Sequence, residues 1–340
     1  MRPEVGHARR IVVTVAGSAT ISTVGASVGY DDDGDSPWAG PGSHRVTVAE
    51  FGEWAAVGGH RIAVVARYPD PHPAGPVPVI VLCHGLGGDH RGYAGLGTRL
   101  ASHGYAVLHP RFPDSPGVAF PELTQDDPRL RDLIRPMLFD PAHWVSRVAC
   151  VHAIVDSLAG QTRLPIRLDA GAVLVAGHSY GAYTAQLLLG TKLSGAGLDG
   201  EDFAHPAVAG GILLSPQGSG DRGLTHRSWR SVESPLLVVT GTRDTGARGE
   251  GLSWRREVFD RAPSRFKHLA IVRGGDHFLG GIPDPGTGFL AGTGAAVSAV
   301  TVAFACHVHG DRAAGAWLAA GPFPTTFEHA HREEPACPMS

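Results

Sequence analysis

Beyond about residue 43 the chain alternates short apolar runs with helix-spaced segments. This predicts an α/β fold: a mostly parallel central sheet with helices on both faces. Two segments carry the prediction. Val79-Ile80-Val81-Leu82-Cys83 is apolar without a break, as a strand buried on both faces must be. Residues 144–158 set Val148, Val151, Ile154, Val155 and Leu158 at helical spacing.

Taken in order, residues 45–48 and 61–68 read as short strands, and a proline-rich turn over 69–78 leads into the apolar strand. Residues 93–103 have helical spacing and 106–108 form the next strand. A proline-rich excursion covers 110–141, with its own charged segment at 126–135. After the helix at 144–158 come a strand at 173–176, a helix at 182–189, and strands at 211–214, 236–239 and 268–272. A length of 340 residues is compatible with two domains. The strand-end motifs described below must converge on one site, however, so a single α/β domain over residues 30–320 is expected, with 321–340 as a C-terminal tail.

Composition narrows the function classes. Hydrophobic residues make up 43% and charged residues 18%, which supplies a core and argues against global disorder. The net charge is −3 and the basic residues form no extended stripe, so a nucleic-acid partner is not expected. No apolar run is long and uninterrupted enough for stable membrane insertion. Cys83, Cys150, Cys306 and Cys337 contain no C-x-x-C pair, so neither a zinc site nor a redox dithiol is expected. Cys83 and Cys150 fall in apolar elements and read as small buried hydrophobes. Cys306 and Cys337 are a possible disulfide in an oxidising compartment.

Residues 1–29 read as an export signal or an N-terminal extension. Arg2, Arg9 and Arg10 precede a weakly apolar stretch, and Val24-Gly25-Ala26 offers small residues for cleavage. Arg9-Arg10 also fits a twin-arginine signal, while residues 11–15 also read as a strand. Export is favoured over a cytoplasmic location.

The chemistry sits at strand ends. Gly177-His178-Ser179-Tyr180-Gly181 fits G-x-S-x-G. In a chain with 47 glycines the pattern arises by chance about 0.4 times, so context decides. A buried strand ends at Ala176 and a helix begins near Ala182, the strand–turn–helix setting that lifts a serine hydroxyl above a sheet edge at a helix N-terminus. Ser179 is therefore the candidate nucleophile; the bland alternative is a turn whose serine caps a helix. His84-Gly85-Leu86-Gly87-Gly88 directly follows the apolar strand. The Leu86 N–H and the N–H of Tyr180 are the candidate oxyanion hole. A phosphate cradle is disfavoured, because the loop lacks the third glycine of a dinucleotide fingerprint and the lysine of a P-loop.

A serine nucleophile needs a general base and a carboxylate that fixes the base's tautomer. Asp244 follows the strand at 236–239 and His277 follows the strand at 268–272, both in strand-end loops. Asp276 is adjacent to His277, but chain neighbours rarely aim their side chains at each other, so Asp244 is preferred. His307 and His309 are distant rivals for the base. As a His-x-His pair they lack the carboxylates or helical spacing of a metal site, and no metal or organic cofactor is expected. Tyr93 and Trp144 are candidate pocket-lining aromatics, with core packing as the alternative for each.

Several segments in register resemble the α/β-hydrolase superfamily, and within it the predicted dienelactone-hydrolase and platelet-activating-factor acetylhydrolase-like branch. They are CHGLGG at 83–88, LASHGY at 100–105, GHSYG at 177–181, LSPQG at 214–218, TGTRD at 240–244 and GDH at 275–277. The resemblance spans roughly residues 60 to 280 and matches the excursion less well. It implies a Ser-His-Asp hydrolase that cleaves small-molecule or lipid-like carboxylic esters through an acyl-enzyme. Dienelactone hydrolases proper resemble this fold with a cysteine nucleophile; serine at position 179 favours ordinary serine-esterase chemistry. The alternatives are an acyltransferase or thioesterase using the same triad, and a non-catalytic binding module on the same fold.

Overall fold

The structure, a computed structural model, describes residues 11–15, 19–24, 37–71, 73–124, 126–283 and 293–333. Its elements in the first half of the chain are β1 (Ile11–Val15), β2 (Ala19–Val24), β3 (Arg45–Val57), β4 (His60–Asp70), β5 (Val77–Cys83), α1 (Ala94–Ser102), β6 (Ala106–Pro110), α2 (Pro116–Ala119), α3 (Leu130–Ile134) and α4 (Pro141–Ser157). Then follow β7 (Leu168–His178), α5 (Tyr180–Leu188), β8 (Val208–Leu214), β9 (Leu236–Gly241), α6 (Leu252–Arg255), α7 (Glu257–Arg261), β10 (Phe266–Val272), α8 (Thr293–Val308), α9 (Arg312–Ala319) and β11 (Phe327–Glu333). All the strands join one sheet in the order β1-β2-β3-β4-β6-β5-β7-β8-β9-β10-β11.

The six strands from β6 to β10 in that order pair in parallel. Antiparallel strands flank them, β1 to β4 on one edge and β11 on the other. The reason for the antiparallel edge is local. Only Gly58 and Gly59 separate β3 from β4, both at positive φ (54° and 80°), the conformation of a tight hairpin turn. The pairing continues into both strands, which is why they run longer than their short apolar cores indicate.

Burial explains why the central strands read as unbroken apolar runs. In β5, Val79, Val81 and Cys83 point into a core with α4 and α5, while Ile80 and Leu82 point into a second core with α1, α8 and α9. β7 repeats this with Val173 and Val175 against Leu174 and Ala176. Both faces are covered, so neither face of the strand is polar. Helix α4 starts where its sequence dictates: the Asp140 carboxylate accepts from the Ala142 N–H at 2.9 Å, and Pro141 occupies the first turn. Cys83 and Cys150 are both buried.

Two parts of the chain differ from the sequence reading. The tail expected at 321–340 contains β11, paired along its whole length with β10. Its alternation is diluted by His329 and His331, so an edge strand reads as polar tail. Helix α8 carries no clear amphipathic signal: it is buried on nearly all sides, and its small apolar residues show no periodic stripe. The segment read as a leader supplies β1 and β2, which form a hairpin on β3. The twin-arginine pair Arg9-Arg10 and the cleavage candidates Gly25 and Ala26 lie outside the described residues, as does Cys337. Among the described residues no helix is long and apolar enough to cross a membrane.

Because β6 and β7 lie on opposite sides of β5, the connections leaving β5 and β7 diverge and open a crevice at the strands' C-terminal ends. That crevice holds the candidate site.

Candidate active site

Ser179 follows the last residue of β7. Its backbone takes φ 54° and ψ −119°, a conformation costly for a non-glycine residue, about 1–3 kcal/mol. Two glycines make the turn possible. A Cβ on Gly177 would lie 2.2 Å from the Gly181 carbonyl, and one on Gly181 would lie 2.0 Å from the Cys83 oxygen. The turn is anchored by the Ser179 N–H, which donates to the Leu214 carbonyl of β8 at 2.8 Å.

The sheet brings three distant side chains together. Ser179 Oγ lies 2.8 Å from His277 Nε2, and His277 Nδ1 lies 2.8 Å from Asp244 Oδ1. Asp244 is fully buried, whereas His277 keeps about a third of its side-chain surface exposed. The second carboxylate oxygen accepts from Thr240 Oγ1 at 2.9 Å. Arg255, on α6, approaches Asp244 Oδ1 at 3.0 Å and donates to the Ser215, Pro216 and Thr245 carbonyls. Burial alone would raise the Asp244 carboxyl. The hydrogen bond from His277 and the Arg255 charge outweigh it and bring the pKa down to about 2. Asp244 is thus an anion at any working pH and takes its proton contact from Nδ1–H. In that tautomer the 3.1 Å approach of Arg255 Nη2 to Nδ1 joins two donors and is a packing contact, not a hydrogen bond.

Asp276 is exposed, and its carboxylate accepts from the Phe278 N–H at 3.0 Å, capping the turn away from the His277 ring. His307 bonds the Asp311 carbonyl, and His309 bonds the Ala172 carbonyl in the N-terminal half of β7. Ala172 lies roughly 20 Å up the strand from Ser179, so the pair is remote from the site.

The glycine-rich loop after β5 abuts the serine: a Cβ on Gly85 would lie 3.5 Å from Ser179 Cβ. Among the described residues neither the Leu86 N–H nor the Tyr180 N–H has an acceptor. Tyr180 is the first residue of α5, where a free N–H is the rule and the helix dipole favours negative charge. The Tyr180 side chain turns the other way and is fully buried.

Tyr93 lines the cavity above Ser179, but its hydroxyl does structural work there. It accepts from the Gly85 N–H at 3.2 Å and donates to His178 Nδ1 at 2.9 Å. His178 Nε2–H in turn donates to the His277 carbonyl at 2.7 Å. Burial, and then the neighbouring His277, push the His178 pKa down to about 3, so the ring is neutral and its tautomer is fixed by these two bonds. One chain of hydrogen bonds therefore ties the loop after β5, the serine turn and the His277 loop. Trp144 does not line the cavity. It packs edge-on against Tyr183 at 5.6 Å and donates to the Leu138 carbonyl at 2.9 Å, because the apolar stripe of α4 faces the sheet.

The sequence reading passed over Arg255, Arg147 and Asp114. Arg147 and Asp114 form a buried ion pair at 2.9 Å, and Arg147 also donates to the His84 carbonyl at 2.8 Å. Its guanidinium lies between the Phe112 and Tyr180 rings, 4.4 and 4.1 Å from their centroids. A signal was present, since Arg147 precedes Val151, Ile154 and Leu158 at helical spacing and so sits on the edge of the apolar stripe. Arg255 gives no such signal in a short helix of mixed composition.

A family model described as platelet-activating factor acetylhydrolase, isoform II, matches residues 55–127. The match runs from the end of β3 through the loop after β5 and into the excursion, a minority of the chain that ends before Ser179. No curated protein matches the chain. The chain has an α/β-hydrolase fold and resembles the platelet-activating-factor acetylhydrolase-like branch, which supports a hydrolase of the lipase or esterase type.

Proposed function

We propose that the protein is a serine hydrolase that cleaves carboxylic esters through an acyl-enzyme. The observation that carries this reading is the relay Ser179 Oγ–His277 Nε2 and His277 Nδ1–Asp244 Oδ1, each step 2.8 Å, with Asp244 held as an anion. With the proton on Nδ1, Nε2 is free to accept the serine proton as Oγ bonds to the ester carbonyl carbon. The carbonyl oxygen takes the negative charge and faces the Leu86 and Tyr180 N–H groups. The imidazolium returns the proton to the leaving alkoxide, and the alcohol departs. Water then repeats the sequence on the acyl-serine and releases the acid.

The strained serine conformation supports the same reading, because a helix cap needs no such backbone. A serine-reactive fluorophosphonate should label the wild type and leave Ser179→Ala unlabelled. Equal labelling of the variant would sink the assignment.

A further inference from the structure

The cavity above Ser179, about 1050 Å³, has an unbalanced wall. Its charged side chains are six arginines and one aspartate, in a chain whose net charge is −3. Four of the six arginines face carboxylates: Arg91 meets Glu50, Arg111 meets Asp89, Arg222 meets Asp221, and Arg255 meets Asp244. Arg131 and Arg135 do not. Both are exposed, and among the described residues neither side chain has an ion-pair or hydrogen-bond partner.

Their position is set by the residue between them. Ile134 is buried and rests on the loop after β5, where a Cβ on Gly87 would lie 3.0 Å from Ile134 Cδ1. The turn that carries both arginines is thereby seated beside the serine. Residues four apart on a helical turn lie one above the other, so one group can reach both guanidinium forks. Such forks match the paired oxygens of carboxylate and phosphate. Farther along the wall the Nε–H of Arg222 is buried without an acceptor among the described residues, a further unused donor.

We propose that Arg131 and Arg135 form an oxyanion-binding subsite at the cavity wall, and that the ester cleaved at Ser179 carries a carboxylate or phosphate remote from its scissile bond. This rests on the reading of Ser179 as the nucleophile of an ester hydrolase. A neutral ester of the same length fills the same cavity and leaves both arginines to water; an anionic one gains two charge-assisted contacts.

The test compares matched esters. For an acyl-side carboxylate the pair is the p-nitrophenyl monoester of glutaric acid against p-nitrophenyl pentanoate. For an alcohol-side phosphate the pair is butyryl glycerol phosphate against monobutyrin, followed by acid release. In at least one pair the wild type should favour the anionic ester about tenfold in kcat/KM, mainly through KM, and the preference should shrink as salt is added. Which pair shows it identifies the kind of anion and the side on which it lies. Arg131→Gln with Arg135→Gln should bring the ratio to about one, Arg131→Glu with Arg135→Glu should invert it, and the double lysine variant should keep most of it. A wild-type ratio near one in both pairs, or a ratio unchanged in the glutamine variant, overturns the subsite while leaving the hydrolase reading intact. Absence of turnover on all four esters, together with no fluorophosphonate labelling of the wild type, overturns the hydrolase reading and the subsite with it.

Discussion

Two buried aspartate–arginine pairs stand on either side of Ser179, alike in build and different in what they touch. Asp244–Arg255 lies 3.0 Å apart and Asp114–Arg147 lies 2.9 Å apart, with all four side chains almost wholly buried. Each arginine also donates to backbone carbonyls of a site loop. Asp244, however, has an oxygen committed to His277, whereas among the described residues both oxygens of Asp114 meet Arg147 alone. On the proposed reading the first pair serves proton transfer; the second is bonded to the loop after β5 through the His84 carbonyl. A buried pair is thus no sign of catalysis by itself. What separates the two is whether the carboxylate has a second, titratable partner.

The largest expected effect breaks the first pair. Asp244→Asn keeps the shape but presents the wrong hydrogen-bonding group to Nδ1, and kcat should fall by about 10⁴ with the fold retained, as measured by ester turnover and circular dichroism. A fall below about tenfold would remove Asp244 from the relay.

Next comes the second pair, read in stability. Arg147→Met leaves Asp114 buried without its partner and should cost about 3–5 kcal/mol in denaturant unfolding. Pairing it with Asp114→Leu should recover most of that loss, because the isolated charge is gone. The double variant folds but no longer holds the His84 carbonyl, so its defect should lie in turnover and not in fluorophosphonate access to Ser179. If the double variant were as unstable as the single one, packing of Arg147 between Phe112 and Tyr180 would be its main role.

Acid separates the two sides of the site. Asp244, held at about 2, sits below the ordinary carboxylate value, so its stabilisation is present above that value and is lost only as pH falls toward 2. His84 and His178 behave otherwise. Burial, followed by Arg147, lowers the His84 pKa to about 4, and His178 stands at about 3. Both are neutral in the fold, while the unfolded chain takes up protons below pH of about 6.5. Stability should therefore decline from that pH downward, each ring costing on the order of 2 kcal/mol by about pH 5, before the carboxylate is affected. Unfolding midpoints that stay flat between about pH 6.5 and 4.5 would show that the two histidines are not buried neutral.

This contrast also marks what was legible in the sequence. Ser179, Asp244 and His277 each follow an apolar strand, and strand ends are visible because a strand buried on both faces must be apolar throughout. The loop at 84–88 was legible for the same reason. Trp144 was not: its place depends on which face of α4 meets the sheet, and helical spacing gives the stripe without its partner. Arg147 was legible only as a charge on the edge of the α4 stripe; its partners, like those of Arg255, are carbonyls and carboxylates of other segments, a relation local patterning does not encode. β11 was hidden by its edge position, where histidines are tolerated. Several of the 19 histidines now have structural tasks, as His84, His178 and His309 bond groups inside the fold.

The smallest expected effect tests the choice between neighbouring acids. Asp276 is next to His277 in sequence, and its side chain is spent on the Phe278 N–H in an exposed turn. Asn accepts the same bond, so Asp276→Asn should leave stability within about 0.5 kcal/mol and kcat/KM within about twofold. Asp244 is distant in sequence but in contact in space, because β9 and β10 pair in parallel and end together: Gly241 lies opposite Val272. Gly241 also has no room for a side chain, since a Cβ there would lie 2.1 Å from the Gly275 oxygen. The close approach of these two loops delivers Asp244 to Nδ1. A loss of more than about a hundredfold in Asp276→Asn, with Asp244→Asn near wild type, would reverse the assignment, since the tautomer of His277 would then be fixed from the turn and not from the neighbouring strand.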